Sequence, residues 1–315
     1  FSWMDLTALT GAADPLLMAN WIQRTVDTLT GRHIDLVFIQ DGQPKAEREI
    51  VPLTEAVHLD IQVHERGLYR QPRSLRQEPW IGPELFRALP LYDPQHFLDF
   101  VQASVRGQFD LPENILGRAR SLAEKGRQGW FRLHSGNISS TKQVVHIYLN
   151  IIGYAANSIA LLNGAPLPER RLLAEFHSRA EAIRQPGLYS GMLGLLGAME
   201  ITGGDLRQWL PLWRTSLESL PQADAPLALT QPRLGYYAMG IEALIAGERP
   251  AAALWPLLTT WSEAVLYGSN DEGWQQILEA LDFGEAALPR RIGGLDAYLD
   301  RVEETLDVWG QAHGI

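Results

Sequence analysis

Two short stretches could do chemistry together. Phe1-Ser2-Trp3-Met4-Asp5-Leu6-Thr7 and Val57-His58-Leu59-Asp60-Ile61-Gln62-Val63 each set one carboxylate inside an alternating apolar run. That is the pattern of a half-buried strand with its acid on one face. Paired acids on neighbouring strands hold Mg²⁺ for phosphoryl or nucleotidyl transfer. The pattern therefore predicts Asp5 and Asp60 side by side, with their carboxylates about 4–6 Å apart and open to solvent. The same pattern also describes two acids that simply face water at strand ends.

Other candidates group around these. Arg66, Arg70 and Arg73 follow Asp60 closely, and Arg76 continues the series. Guanidinium forks match phosphate oxygens, so the series reads either as a triphosphate clamp or as a solvated basic loop. Arg118, Arg120, Lys125, Arg127 and Arg132 pose the same choice, with a basic helix face the simpler reading. His33, His58, His64 and His134 lack the spacing of a zinc enzyme. Neither a phosphate-binding glycine loop nor a nucleophile elbow occurs. The ten Trp residues fall largely at helix positions with apolar neighbours and read as core.

Composition narrows the classes. The 315 residues leave room for two domains, and 46% hydrophobic with 20% charged content is ordinary for a globular protein. No uninterrupted apolar run approaches the roughly 20 residues that span a bilayer, so no membrane association is expected. A net charge of −10 disfavours broad nucleic-acid or anionic-membrane binding. Zero Cys excludes disulfides, zinc-thiolate sites and cysteine nucleophiles, and fits a cytoplasmic location. The chain opens on Phe, without the basic-then-apolar order of a signal peptide.

The elements that must position these residues change character near residue 110. Before it, the pattern is mixed. Asp14-Pro15 opens a helix that Gly31 ends. Ile34–Ile39 is a strand, Asp41-Gly42 a turn, and 49–53 the returning arm of a hairpin, held to a sheet edge by Pro52. Val57–Val63 is the next strand and Ala88–Tyr92 a short last one, with 66–84 mostly loop. After residue 110, helical stripes predict a bundle of six to eight helices. Asn137 or Ser139 caps the stripe from Val144 to Leu162, and Pro168 opens the next helix. Leu188–Met199, with Leu193, reads as a buried central helix ending at Gly203-Gly204. Asp205 caps the helix after it, and Pro232 and Pro250 mark further starts. The expectation is an α+β chain: a small mixed sheet in 1–108 and an all-α bundle in 109–315.

This order resembles the nucleotidyltransferase superfamily of the DNA polymerase β type, most of all its aminoglycoside adenylyltransferase-like and related bacterial branches. Ser2-Trp3-Met4-Asp5-Leu6 is similar to the family's acidic Ser-Asp-x-Asp-Leu strand, with Trp3 in place of the leading acid. His58-Leu59-Asp60-Ile61 is similar to its third-acid strand, and Ala88-Leu89-Pro90-Leu91-Tyr92-Asp93-Pro94 to the strand that often follows. Leu161-Leu162-Asn163-Gly164 and Pro186-Gly187-Leu188-Tyr189 have the look of the attached bundle. The resemblance implies transfer of a nucleoside monophosphate from a nucleoside triphosphate to a small-molecule hydroxyl or amine. Asp5 and Asp60 would be the catalytic metal acids, Mg²⁺ the cofactor, and Arg66, Arg70 and Arg73 the nucleotide-binding residues. Asp35, in Arg32-His33-Ile34-Asp35-Leu36, is the alternative second acid; Asp60 is preferred because the Tyr92-Asp93 strand follows it at the expected remove. The family's phosphate-cradling Gly-Ser turn would fall upstream of Phe1. Trp3 cannot ligate metal, which also admits an inactive, nucleotide-binding or interaction protein. Acceptor identity and oligomeric state are not legible.

Overall fold

The computed structural model describes residues 9–10, 33–53, 58–136, 138, 140–221, 225–284 and 286–315. These residues make an α+β protein with a four-stranded sheet and eleven α-helices. The strands are β1 (Leu9–Thr10), β2 (His33–Gln40), β3 (Arg48–Pro52) and β4 (His58–Glu65). By backbone contacts the chain divides into two units: Phe1–Asn114 with Thr230–Tyr236, and Ile115–Leu229 with Tyr237–Ile315. The helix expected after Asp14 and the strand expected around Asp5 lie outside the described residues.

In the first unit the sheet order is β1-β2-β4-β3, with β1, β2 and β4 parallel and β3 antiparallel to β4. The hairpin expected between β2 and β3 does not form. Gly42 makes the turn with φ of 79°, but β4 inserts between the two arms. Burial explains the order: His58, Leu59 and Asp60 are all buried, as a central strand requires, whereas β3 ends in Pro52 and takes the edge. Val37 and Ile39 of β2 pack against Tyr69, Leu75, Leu85 and Phe109. Two helices, α1 (Ile81–Arg87) and α2 (Phe97–Arg106), complete that core with Leu98, Val101 and Val105. The strand expected at Ala88–Tyr92 is absent apart from an isolated bridge at Tyr92. The buried Gln102 amide donates to the Leu85 and Ala88 carbonyls at 2.9 and 2.7 Å, so these groups find a side chain where a strand partner was expected.

From residue 112 onward the described residues contain nine helices and no strand. They are α3 (Pro112–His134), α4 (Thr141–Ala160), α5 (Leu172–Ala182), α6 (Gly187–Leu195), α7 (Gly203–Glu218), α8 (Gln231–Ala246), α9 (Leu254–Leu266), α10 (Glu272–Ala280) and α11 (Leu288–Ala312). The expected central helix is shorter than its apolar run. α6 stops at Leu195, Leu193 is only half-buried, and Met192 beside it is fully buried. Arg291 explains the stop. Its guanidinium donates to the Leu195 carbonyl at 2.8 Å and to those of Leu281 and Asp282, closing the ends of α6 and α10 together. Gly197, at φ of 67°, is needed here because a Cβ would strike the Leu281 carbonyl. Gly203-Gly204 opens α7. Thr202 is its N-cap, and Asp205 completes a capping box in place of the simple cap expected of it.

The basic run on α3 is a structural seam. Arg127 reaches Asp296, Asp300 and Glu303 of α11 at 2.6, 2.6 and 2.8 Å, and Arg120 reaches Asp307 at 2.8 Å. Arg118 is buried. Trp209, Trp213, Trp255, Trp261 and Trp274 are buried in the helical unit, as the apolar spacing predicts. The stretch Thr141–Asn163 is long and apolar enough to cross a membrane by composition, but 67% of its most apolar window is buried inside the protein. It is a core helix, broken in sequence by Asn150 and Asn157.

Candidate functional site

Register places the candidate acids. β2 and β4 run parallel with Asp35 opposite Asp60, so the two residues share one face about 4.8 Å apart. Like charges directly opposite destabilise a sheet unless something compensates them. The compensation at Asp60 is visible. Arg48 Nε donates to Asp60 Oδ1 at 2.6 Å and Arg48 Nη2 to Oδ2 at 2.5 Å, a two-pronged guanidinium grip from the edge strand. Arg233 Nη1, from the opening turn of α8, adds a third bond to Oδ2 at 2.9 Å. His58, two residues before Asp60 on the same face, meets the Tyr236 ring edge-on at 5.3 Å. Residues 230–236 thus belong to the sheet unit by chemistry as well as by contacts, although the sequence assigns them to the bundle.

Asp60 is therefore not the solvent-facing acid that its strand pattern suggests; it is 1% exposed. Both oxygens are engaged by cations, and a metal could reach them only by displacing a guanidinium. Asp35 is half-buried on β2. The strand paired with β1 is β2, with Leu9 opposite Phe38, so β4 and Asp60 lie one strand further away. Asp5 and Trp3 lie outside the described residues. Among the described residues no group of three or more His, Asp or Glu is placed to hold a metal ion.

In the arginine series after β4, Arg66 and Arg76 are engaged by other side chains and carbonyls. Arg66 lies 4.3 Å over the Phe97 ring, bonds Gln95 at 3.3 Å and sits 3.7 Å from Asp41. Arg76 binds the Ser104 carbonyl at 2.9 and 2.5 Å and Gln108 at 2.7 Å. Arg70 and Arg73 are exposed on short turns. At the far end of the acid-bearing face, His64 Nδ1 lies 2.6 Å from the Tyr69 hydroxyl. Burial lowers the His64 pKa against the opposing pull of Glu47, and burial raises that of Tyr69 far above the phenol range.

Sequence reasoning missed Arg48 and Arg233. Arg48 left a faint signal, a cation two residues before Ile50, which pairs with Asp60. Arg233 left none, since 173 residues separate it from its partner. The chain matches no protein-family model, no curated protein and no solved structure.

Proposed function

We propose that the chain is a nucleotidyltransferase of the DNA polymerase β type, moving a nucleoside monophosphate from a nucleoside triphosphate to a hydroxyl or amine of a small molecule. In this reading residues 1–108 carry the reaction site and 109–315 the accompanying bundle. Asp35 and Asp5 are the metal acids, and Asp60 is a structural carboxylate. One observation carries this assignment: β1 pairs with β2, which bears the half-buried Asp35, while Asp60 is enclosed by two guanidiniums.

Mg²⁺ commonly takes one or two carboxylates together with substrate phosphates and waters. Asp35 with Asp5 suits that demand in number and charge; Asp60, already saturated, does not. Bound there, Mg²⁺ would neutralise the triphosphate, which is most of what such catalysis requires. The chain's own part is to present the Asp35 carboxylate and to meet phosphate oxygens with Arg70 and Arg73, which are exposed.

Trp3 favours a second reading, a nucleotide-binding or interaction protein without turnover, because an indole stands where the family resemblance expects an acid. Calorimetric titration of the chain with each nucleoside triphosphate, with Mg²⁺ and with EDTA, tests both. The proposal expects Mg²⁺-dependent binding, and pyrophosphate release once a panel of small-molecule hydroxyls and amines is added to accept the nucleoside monophosphate. Binding without release, with release gained on Trp3→Asp, selects the second reading. Absence of any nucleotide binding rejects both.

A further inference from the structure

The helix α6 is a poor helix by its own sequence. It is nine residues long, below the roughly 12–15 at which a helix alone in water is even marginal, and Gly187, Gly191 and Gly194 are three of them. Packing explains one glycine: a Cβ on Gly191 would lie 3.1 Å from the Tyr298 ring. It does not explain the other two. Gly187 and Gly194 are exposed, neither has a positive φ, and a Cβ on either would meet no described atom within 4 Å. What holds α6 is α11. The Tyr298 hydroxyl donates to the Leu188 carbonyl at 3.1 Å, and Arg291 donates to the Leu195 carbonyl at 2.8 Å. On each helix the two positions are about two turns apart, in opposite order, so α11 runs antiparallel to α6 and pins it near both ends. Tyr148 of α4 adds a bond to the Leu195 carbonyl at 3.1 Å.

We infer that α6 is the opening segment of the helical unit: it leaves α11 as one piece while α4 and α11 stay folded. Its release strands little. Arg291 keeps the Leu281 and Asp282 carbonyls and its place 4.3 Å over the Phe283 ring, so the junction of α10 and α11 stays closed. Tyr298 and Tyr148, both buried while α6 is in place, gain water. The surface that opens is apolar, because Leu188, Met192 and Leu195 are the buried residues of α6. Elements that move are drawn from the weakly held parts of a fold, and two glycines that packing does not require keep α6 among them. The device is independent of the transferase reading, since all of its residues lie in the second unit.

Hydrogen exchange read by mass spectrometry on the full chain tests it, in urea concentrations below the unfolding transition. Protection factors are compared among wild type, Gly187→Ala/Gly194→Ala and Tyr298→Phe. In wild type, residues 191–196 should exchange on the order of tenfold or more faster than 148–159 of α4 and 295–306 of α11. Added urea should leave the 191–196 rate nearly flat while it speeds the other two stretches, because a local opening exposes little surface. The alanine pair should slow 191–196 by about two- to fivefold per glycine replaced. Tyr298→Phe should speed 191–196 about two- to tenfold, since it removes one pin and keeps the ring beside Gly191. Equal protection and equal urea slopes in the three wild-type stretches would mean that α6 opens with the whole unit, and would overturn the inference. So would alanines that leave 191–196 no slower than in wild type.

Discussion

Replacing Asp60 by Asn separates a buried structural carboxylate from an exposed one. The carboxylate accepts charge-assisted hydrogen bonds from Arg48 and Arg233 between 2.5 and 2.9 Å. Asn keeps one acceptor oxygen and turns an amide N–H₂ toward a cation. Arg48, being 40% exposed, recovers solvation and contributes little to the loss. Arg233 is 9% exposed, and breaking a buried ion pair by removing one partner costs about 3–5 kcal/mol. With the remaining acceptor discounted, Asp60→Asn should cost about 3 kcal/mol. At about 2–4 °C per kcal/mol, that lowers the calorimetric midpoint by about 6–12 °C. The arginines supply an internal control: Arg233→Met should cost about as much as Asp60→Asn, and Arg48→Met about 1 kcal/mol or less. Differential scanning calorimetry of the three variants decides. A midpoint within 1–2 °C of wild type for Asp60→Asn, or a larger loss from Arg48→Met than from Arg233→Met, would refute the charge accounting.

Met192→Ala should cost about 2–5 kcal/mol and Leu193→Ala about 1 kcal/mol, because only Met192 is fully enclosed; urea unfolding compares them directly. Arg291→Met should cost about 3–5 kcal/mol through stranded carbonyls on two helix ends, and Arg291→Lys should not recover it, since one ammonium cannot reach carbonyls on both. Thr202→Ala should cost about 1 kcal/mol by removing the capping box of α7, read in the same denaturation series. Burial lowers the folded pKa of His64 and His146 below the unfolded value of 6.5. The unfolded chain therefore binds protons first, and stability should fall as pH drops through 6.5 toward the folded values, with no further loss from these groups below them. His64→Gln and His146→Gln should each flatten that slope in urea midpoints measured from pH 7.5 to 5.

What was legible in the sequence follows from what is local. Period-2 runs marked β2 and β4, and apolar helical stripes marked most of the bundle, because both periodicities act within a few residues. Strand order was not legible. Asp41-Gly42 correctly signals a turn, yet a turn does not determine whether its arms pair or admit β4 between them. The Leu188–Met199 run looked like one central helix because composition cannot register Arg291 gathering the carbonyls at its end. Asp60 was legible as special, but its burial was not. An acid in an apolar run signals either a site or an enclosed ion pair, and the decisive cation, Arg233, lies beyond any local pattern.

The assignment of the reaction acids is tested most directly by titrating Asp35→Asn with nucleoside triphosphate in the presence of Mg²⁺, beside wild type at equal protein concentration. The account predicts that wild type binds nucleotide only with Mg²⁺ and that Asp35→Asn loses this binding while keeping its thermal midpoint and far-ultraviolet dichroism. Undiminished Mg²⁺-dependent binding in Asp35→Asn would contradict it.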